Sequence, residues 1–266
     1  MINKYSAKPV KDYFKIKDAI KFLAVCGVLV WFMTVGAGKV DYNWQWYRIP
    51  KLFFTFADGS FVSGPLLKGL WITLEITAAS LLISSIFGLV TTLFRLSDSF
   101  AARTLARGYM ELVRNTPLLV QIFFIYFVIS PVLGFGRFTS AVLALSLFEG
   151  AYASEIIRAG ILSIHKGQWE AAYSIGLNRW NTYRHVILPQ AIRHMLPPLT
   201  SQAVSLIKDS ALVSTIAIYD LTMRGEQIIA DTYMVFEVWF TIAAIYLIMT
   251  ATLSIVVNMM EKGEAK

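Results

Sequence analysis

Several apolar runs in the sequence are long enough to cross a lipid bilayer, and they constrain the fold more than any other feature. A hydrocarbon core about 30 Å thick is crossed by an α-helix of about 20 residues. Only 15% of the residues are charged, whereas soluble domains carry about a quarter. The alternating ten-residue strands of outer-membrane barrels do not occur in the sequence. The sequence therefore predicts an all-α integral membrane protein.

We expect about six membrane-spanning helices. They cover residues 22–35, 66–94, 109–133, 139–159, 196–218 and 236–260. Pro117 should kink or restart the third helix, because proline removes a backbone donor and crowds the preceding turn. Transporter spans are often broken where freed backbone groups face a ligand. Gly150 and the pair Pro197-Pro198 are two further places where a break could occur.

The first 21 residues carry six lysines and lead into the first apolar run. Such a start also describes a signal peptide, but Ala37-Gly38-Lys39 is a poor small-residue cleavage site. We therefore predict a retained first span followed by an aromatic periplasmic loop. Residues 1–60 form this N-terminal segment, residues 61–260 the main transmembrane domain, and residues 261–266 a tail.

The positive charges predict the orientation of the chain. Six helices place both termini on one side, together with the loops at 95–108 and 160–195. Counting Arg114 and Arg158 at helix ends, that side holds 17 of the 24 Lys and Arg residues. Because short basic loops stay in the cytoplasm, we expect both termini and the 160–195 loop there. The net charge of +7 then needs no nucleic-acid partner.

The 160–195 loop is polar and strongly helical. Gln168 to Ile175 should form one helix, which Gly176 ends in a left-handed conformation. Asn178 can cap a second helix, Arg179 to Ile187, by accepting a backbone N–H, and Pro189 should limit its extent.

One face of the first of these helices is suited to docking. Ala171 and Ala172 form a small-residue side, and Trp169 and Tyr173 form an aromatic pair at i and i+4. These residues alone are equally compatible with an ordinary loop between two spans.

The spacing within this loop is more specific. Glu170-Ala171-Ala172, three residues, Gly176, nine residues, Val186, one residue and Leu188-Pro189 resemble the EAA loop in the membrane subunits of bacterial ABC importers. The one departure is Val186, where isoleucine is usual. The stretches "ELVRNTPLLVQIFF", "GAYASEIIRAGILSIHKGQWEAA" and "SLIKDSALVSTIAIYDLT" resemble the permeases for polar amino acids, the histidine/glutamate/glutamine/arginine branch, over about residues 66–260.

The resemblance implies a type I permease core of five spans, here with an added N-terminal span, in the bacterial inner membrane. It implies a second permease subunit (a copy or a paralogue), a dimer of ATPase subunits below and a periplasmic amino-acid-binding protein above. The EAA loop would be the coupling helix that enters the ATPase. The residues it implies for coupling are Trp169, Glu170, Ala171, Ala172, Tyr173, Gly176, Leu188 and Pro189.

By this resemblance the chain is a transport subunit and not an enzyme. It would move a polar L-amino acid, with the glutamate and glutamine class favoured, from periplasm to cytoplasm by alternating access. The sequence has no G-x-x-x-x-G-K-[ST] phosphate-binding loop, so we expect ATP and Mg²⁺ on the partner subunit and no cofactor or metal on this chain.

Ionisable residues inside spans are costly unless paired or hydrated, and so are functional candidates. Glu149, Lys208, Asp209 and Gln121 are the candidates for the substrate path. Glu149 could meet the ammonium group of an amino acid and Lys208 its carboxylate, or these two could pair with each other. Near helix ends, i and i+3 spacing predicts two structural ion pairs, Glu111 with Arg114 and Glu155 with Arg158.

A secondary transporter or channel without an ATPase is the alternative function. Such proteins tend to show internal repeats, and the sequence shows no convincing one. An intramembrane enzyme would need a nucleophile–base or paired-aspartate motif in the spans, and none stands out.

The first testable prediction concerns orientation. A reporter fused after Lys266 should be cytoplasmic, and one inserted near Asp41 should be periplasmic, because the lysine-rich start holds the N-terminus inside. Alkaline phosphatase and fluorescent-protein fusions at the two positions measure this. If both positions report the same side, residues 22–35 do not span the membrane in the mature protein.

Overall fold

The computed structural model of the protein describes residues 16–39, 42–57 and 59–264. The chain divides into two compact units, Met1–Trp44 and Gln45–Lys266. This division falls earlier than the expected boundary after residue 60. Residues 45–60 belong to the second unit, where the backbone N–H of Gln45 donates to the buried carboxylate of Glu237.

Among its described residues, the first unit contains one helix, α1 (Ile16–Lys39). The predicted span at residues 22–35 lies within it. A helix of 24 residues is about 36 Å long, but α1 is not among the described helices that are long and apolar enough to span a membrane. The lysines before residue 16 lie outside the described residues.

The second unit opens with a short region that the sequence did not predict. A 3₁₀ turn (Trp46–Arg48) and α2 (Ile49–Phe53) lead into an antiparallel hairpin of β1 (Phe54–Ala57) and β2 (Ser60–Ser63). The rings of Phe54 and Phe61 stack across the hairpin with centroids 5.9 Å apart. Aromatic cross-strand pairs of this kind stabilise a two-stranded sheet.

Helices make up the rest of the second unit. They are α3 (Pro65–Leu96), α4 (Phe100–Arg114), α5 (Leu118–Phe123), a π-helical segment (Phe124–Ile129), α6 (Ser130–Leu133), α7 (Arg137–Leu162), α8 (Lys166–Ser174), α9 (Arg179–Thr182), a second π-helical segment (Tyr183–Ile187), α10 (Leu188–Asp209), a 3₁₀ segment (Ser210–Ile216), α11 (Leu221–Thr232) and α12 (Val235–Glu264).

Among the described residues, three helices are long and apolar enough to span a membrane, namely α3, α7 and residues 235–257 of α12. A fourth span is added if the bent pair of α4 and Leu118–Leu133 counts as one. That pair bends by 107° at Pro117, which precedes α5 as its N-cap, so the predicted restart at Pro117 is confirmed. The predicted fifth span corresponds to α10 and the 3₁₀ segment after it.

Small residues allow α3 and α7 to pack closely along much of their length. A Cβ atom added to Gly88 of α3 would lie 2.9 Å from the Cβ of Ala153 and 3.3 Å from the backbone nitrogen of Ser154. The hydroxyl of Thr92 donates to the carbonyl oxygen of Ser154 at 3.0 Å. Lipid offers little hydrophobic drive for helices to associate, so close approach and interhelical hydrogen bonds of this kind hold spans together.

Prolines do not interrupt α10, and Gly150 does not interrupt α7, in contrast to the suggested breaks. α10 continues through Pro197 and Pro198, and α7 is continuous through Gly150. Gly150 serves packing, because a Cβ there would lie 2.6 Å from the Cβ of Phe87. Of the three places suggested for a break, Pro117 is thus the one at which the helix is interrupted.

The close packing of α3 on α7 leads to a prediction about stability. Gly88→Ala should destabilise the fold by about 1–3 kcal/mol, because the added methyl group forces two packed helices apart. Thermal unfolding in detergent measures the change. Gly108→Ala is the matched control, since a Cβ at Gly108 meets nothing within 4 Å and alanine favours helix. Equal stability of the two variants would contradict the packing account.

Candidate functional site

α8 begins and ends with well-formed caps. The Nδ1 atom of His165 accepts a hydrogen bond from the backbone N–H of Gly167 at 3.0 Å. At the other end Gly176 has φ +83°, its N–H donates to the carbonyl oxygen of Tyr173, and the N–H of Leu177 donates to that of Ala172. These bonds form a Schellman motif. The predicted left-handed termination at Gly176 is confirmed.

The second helix of the loop starts as predicted but does not stop as predicted. The Oδ1 atom of Asn178 accepts from the backbone N–H of Asn181 at 2.9 Å and caps α9. The helix then continues through the π-helical segment Tyr183–Ile187 and through Pro189 into α10. The expectation that Pro189 limits the helix is therefore wrong. A wider π turn leaves room for the proline ring, which would clash with the carbonyl group four residues earlier in a regular α-helix.

Trp169 has a different partner from the expected one. Its ring meets that of Tyr183 edge-on, with centroids 5.0 Å apart and planes at 83°, whereas Tyr173 is exposed. The contact joins α8 to the π-helical segment across the turn at Gly176. The pair predicted from i and i+4 spacing is replaced by one between the two helical parts of the loop.

The loop is attached to the transmembrane helices through an apolar cluster. Ile157 and Ile161 near the end of α7 pack with Ile187 and Ala191, and Trp169 lies against this group. Ala172, the third residue of the EAA triplet, is buried, while Glu170 and Ala171 are exposed. α8 thus turns one side toward the cluster and the other toward solvent.

Large apolar side chains stand exposed on the solvent side of this loop. Ile175 is 77% exposed and Trp180 is 69% exposed, and Tyr173 lies near them in the chain. Water-facing apolar groups of this size mark an interaction surface. We call Tyr173, Ile175 and Trp180 the docking face. Leu188 and Pro189 lie at the start of α10.

A charged cavity of about 350 Å³ lies between α3, α4 and α7. It is lined by Arg95, Arg107, Met110, Glu111, Arg114, Asn115, Tyr152 and Glu155. Guanidinium groups and carboxylates together suit a zwitterionic ligand, because each sign of charge finds a partner. We call it the charged cavity.

The two predicted ion pairs have different outcomes. Glu155 accepts hydrogen bonds from Arg158, its predicted partner, and also from Arg95 of α3. Glu111 does not pair with Arg114 among the ion pairs of the described residues. Glu111 accepts from the side-chain amide of Asn115 at 3.0 Å.

Arg114 has an aromatic partner. Its guanidinium carbon lies 5.4 Å from the ring centroid of Tyr152 on α7. Cation–π stacking holds the flat group while leaving its edge donors free for a ligand. The i and i+3 spacing therefore does not give an ion pair between Glu111 and Arg114. Glu111 contacts Asn115 instead, and Arg114 contacts Tyr152.

Glu149 and Lys208 neither pair nor share a cavity. Glu149 is 2% exposed, accepts a hydrogen bond from Gln202 of α10 and interacts with the carboxyl group of Asp209. Lys208 is exposed and lies on another side of α10, in a groove shared with Ser254 of α12. Of the two alternatives, a pair of Glu149 with Lys208 does not form in the structure, and Glu149 instead joins α7 to Gln202 and Asp209 of α10.

Gln121 is also committed to internal contacts. Its side-chain amide donates to the carbonyl oxygens of Val113 and Thr116 at 2.7 and 3.0 Å, and to the hydroxyl of Thr116 at 2.9 Å. These bonds satisfy carbonyl groups left free where the chain turns at Pro117. Gln121 is not among the residues that line the charged cavity.

Three of the four residues predicted to form structural ion pairs, Glu111, Arg114 and Glu155, line the charged cavity. Two of the substrate-path candidates, Glu149 and Gln121, make interhelical or turn contacts. Arg95, Arg107, Asn115 and Tyr152 were missed as site residues. One signal was available in the sequence, since Glu-x-x-Arg occurs at Glu111 and again at Glu155 on two different predicted spans.

Comparison with known proteins identifies related chains. Residues 84–263 match the family described as binding-protein-dependent transport system inner membrane component. The chain is 40% identical over 200 residues to the glutamine transport system permease protein GlnP of Escherichia coli strain K12, covering 74% of this chain and 91% of that protein. It is 41% identical over 201 residues to the L-cystine transport system permease protein TcyB of Bacillus subtilis strain 168, covering 74% and 86%.

A solved structure has the same fold. The crystal structure of an amino acid ABC transporter with histidines contains a chain that is 39% identical, with a TM-score of 0.70. The match covers 74% of this chain and 93% of that chain.

The left-handed turn at Gly176 leads to a prediction about the loop. Gly176→Val should loosen α8 and α9, because a β-branched residue is strained at positive φ, whereas Gly176→Asn should be tolerated, since asparagine enters this region readily. Backbone amide hydrogen exchange of residues 166–182 measures the difference. We expect faster exchange in the valine variant alone. Identical exchange in both variants would show that the turn conformation does not order the loop.

Proposed function

Because the chain belongs to the family of binding-protein-dependent transport system inner membrane components, we propose that it is the permease subunit that carries a polar L-amino acid from periplasm to cytoplasm. The glutamine and glutamate class is favoured. The observation that carries this proposal is the charged cavity between three helices. The proteins related to this chain include permeases for glutamine and for cystine. Both solutes carry α-amino and α-carboxylate groups.

The contacts inside the cavity support a separate role for each charged group in binding the substrate. Glu155 already accepts from two guanidinium groups, while Glu111 is bonded to the neutral amide of Asn115. Glu111 is therefore the carboxylate that receives the substrate ammonium. Arg114, held over Tyr152, offers its donors to the α-carboxylate, because a planar guanidinium binds a carboxylate through two parallel hydrogen bonds.

The EAA loop transmits the state of an ATPase to the spans. Its docking face is exposed and apolar, and the opposite side packs on Ile161 of α7 and Ile187 before α10. A movement imposed on α8 therefore reaches two spans directly. Nucleotide on the ATPase and the loaded binding protein must each favour one of two global states, because a ligand shifts an equilibrium only by its differential affinity.

The assembly proposed for transport has two permease subunits, two ATPase subunits that bind ATP and Mg²⁺, and a periplasmic amino-acid-binding protein, in the inner membrane with both permease termini in the cytoplasm. A secondary transporter without an ATPase is the alternative, and the exposed side chains of Ile175 and Trp180 would then have no ATPase to contact.

Copurification and reconstitution test the function. The tagged chain should copurify with an ATPase subunit from its native membrane, and vesicles containing the complex and the binding protein should take up labelled glutamine only with ATP inside. Uptake that proceeds without ATP and follows an ion gradient would support the secondary transporter instead.

The assignment of Glu111 and Arg114 leads to a prediction about recognition. Glu111→Gln should raise the KM for uptake by roughly tenfold or more, which corresponds to the loss of a charge-assisted hydrogen bond. It should also reduce the preference for the amino acid over its 2-hydroxy analogue, which lacks the ammonium group. Arg114→Gln should instead reduce the preference over the α-amide, which lacks the carboxylate. Competition against labelled substrate measures both preferences.

A carboxylate outside the cavity provides the control for this experiment. Glu226→Gln removes the same charge from the exposed surface of α11 and should change neither preference. If Glu111→Gln and Arg114→Gln reduce uptake equally for all analogues, the two residues do not contact the substrate groups assigned to them.

A further inference from the structure

A second, smaller cavity adjoins the charged cavity at the end of the bundle where α3 and α7 end. Its volume is about 220 Å³. Its lining consists of Arg95, Leu96, Arg103, Arg107, Arg158 and Leu162. Four guanidinium groups thus surround one space that no carboxylate lines. We call these four residues the arginine cluster.

Carboxylates close to the cluster do not balance its charge. Glu155 accepts hydrogen bonds from both Arg95 and Arg158. One carboxylate is thus shared by two guanidinium groups. Arg103 donates to the carbonyl oxygen of Ser97 at 3.0 Å, a neutral partner. Arg107 makes no ion pair within the part of the chain that the structure describes. The cluster keeps a net positive charge at a site that is only partly open to water.

One donor of the cluster is buried and unused. The Nε atom of Arg158 is inaccessible to solvent and has no hydrogen-bond partner in the described parts of the chain. A buried polar group without a partner costs free energy, on the order of 1–3 kcal/mol. An anion that enters the cavity would neutralise the excess charge and accept hydrogen bonds from the guanidinium groups that line it.

We propose that the arginine cluster binds the phosphate group of an anionic phospholipid. Guanidinium groups are well suited to phosphate, because their planar donors match its oxygens and they are weakly hydrated. Basic pockets between spans on the cytoplasmic side are typical binding places for anionic lipid headgroups. This site goes beyond the transport of an amino acid and does not depend on which solute is carried.

The surroundings of the cluster favour a lipid over a soluble anion. Leu162 in the cavity wall is exposed, and so is Phe100, one helical turn before Arg103 on α4. They provide apolar surface beside the charged groups, where acyl chains would lie. A free phosphate ion would use the guanidinium groups but leave these side chains uncovered.

Occupancy of the site would affect the coupling loop. Leu96, which lines the cavity, also packs against the apolar cluster that contains Ile161 and Trp169. In addition, Asp98 after α3 lies 3.8 Å from Arg179 at the start of α9. A bound headgroup fixes the ends of α3, α4 and α7 on which the EAA loop rests.

Lipid titration of the purified complex tests the proposal. Phosphatidylglycerol is titrated into the protein in a zwitterionic detergent, with phosphatidylcholine in parallel, and bound lipid is counted by native mass spectrometry. We expect a preference for phosphatidylglycerol that weakens about fivefold in Arg103→Gln, the effect expected for one basic residue at an anionic headgroup. Arg103 lines this cavity and not the charged cavity. Arg103→Lys, which keeps the charge, should retain most of the binding and also covers the case in which the glutamine variant does not fold.

Two further measurements separate the sources of phosphate and the role of surface charge. Arg193→Gln removes an exposed arginine of α10 outside the cluster and should leave the lipid preference unchanged. Inorganic phosphate at millimolar concentration should not displace the lipid. Equal weakening by Arg193→Gln and Arg103→Gln would overturn the proposal, and so would the absence of any preference for phosphatidylglycerol. Saturable phosphate binding without lipid preference would overturn the lipid source and keep the phosphate site.

Discussion

The close contact of α3 with α7 is the interaction on which the other features depend. Within a bilayer there is little apolar surface to remove from water, so spans must approach until backbone and small side chains touch. Gly88 and Ser154 permit this approach, and Thr92 adds a hydrogen bond across it. One turn further along, the same contact brings Arg95 to Glu155. The walls of both cavities are therefore set by the small residues that precede them in α3 and α7.

Features with local causes could be predicted from the sequence. The apolar runs predicted α3, α7 and α12, the three helices of the described residues that are long and apolar enough to span a membrane. Pro117 predicted the restart before α5, and Gly176 and Asn178 predicted the two caps of the loop. In each case the deciding atoms lie within a few residues of one another. The EAA spacing is also a local feature, because the turn at Gly176 lies within it.

Partners far apart in the sequence could not be predicted. Glu149 finds Gln202, Trp169 finds Tyr183 and Arg114 finds Tyr152, and each contact depends on how two helices are rotated against each other. Rules for charge inside a span identify which side chains need a partner but not which partner they meet. Glu149 meets Gln202 of α10 and Gln121 meets the turn at Pro117, whereas Lys208 is exposed.

α9 continues into α10 without a break, so the loop contains one end of a long continuous helical path. From Arg179 to Asp209 the helical path is roughly 45 Å long at 1.5 Å per residue. Tyr183 near one end is held by Trp169 of the loop, and Gln202 near the other meets Glu149. The loop and the buried hydrogen bond between Glu149 and Gln202 are therefore connected through one uninterrupted helical path, although they lie several helical turns apart.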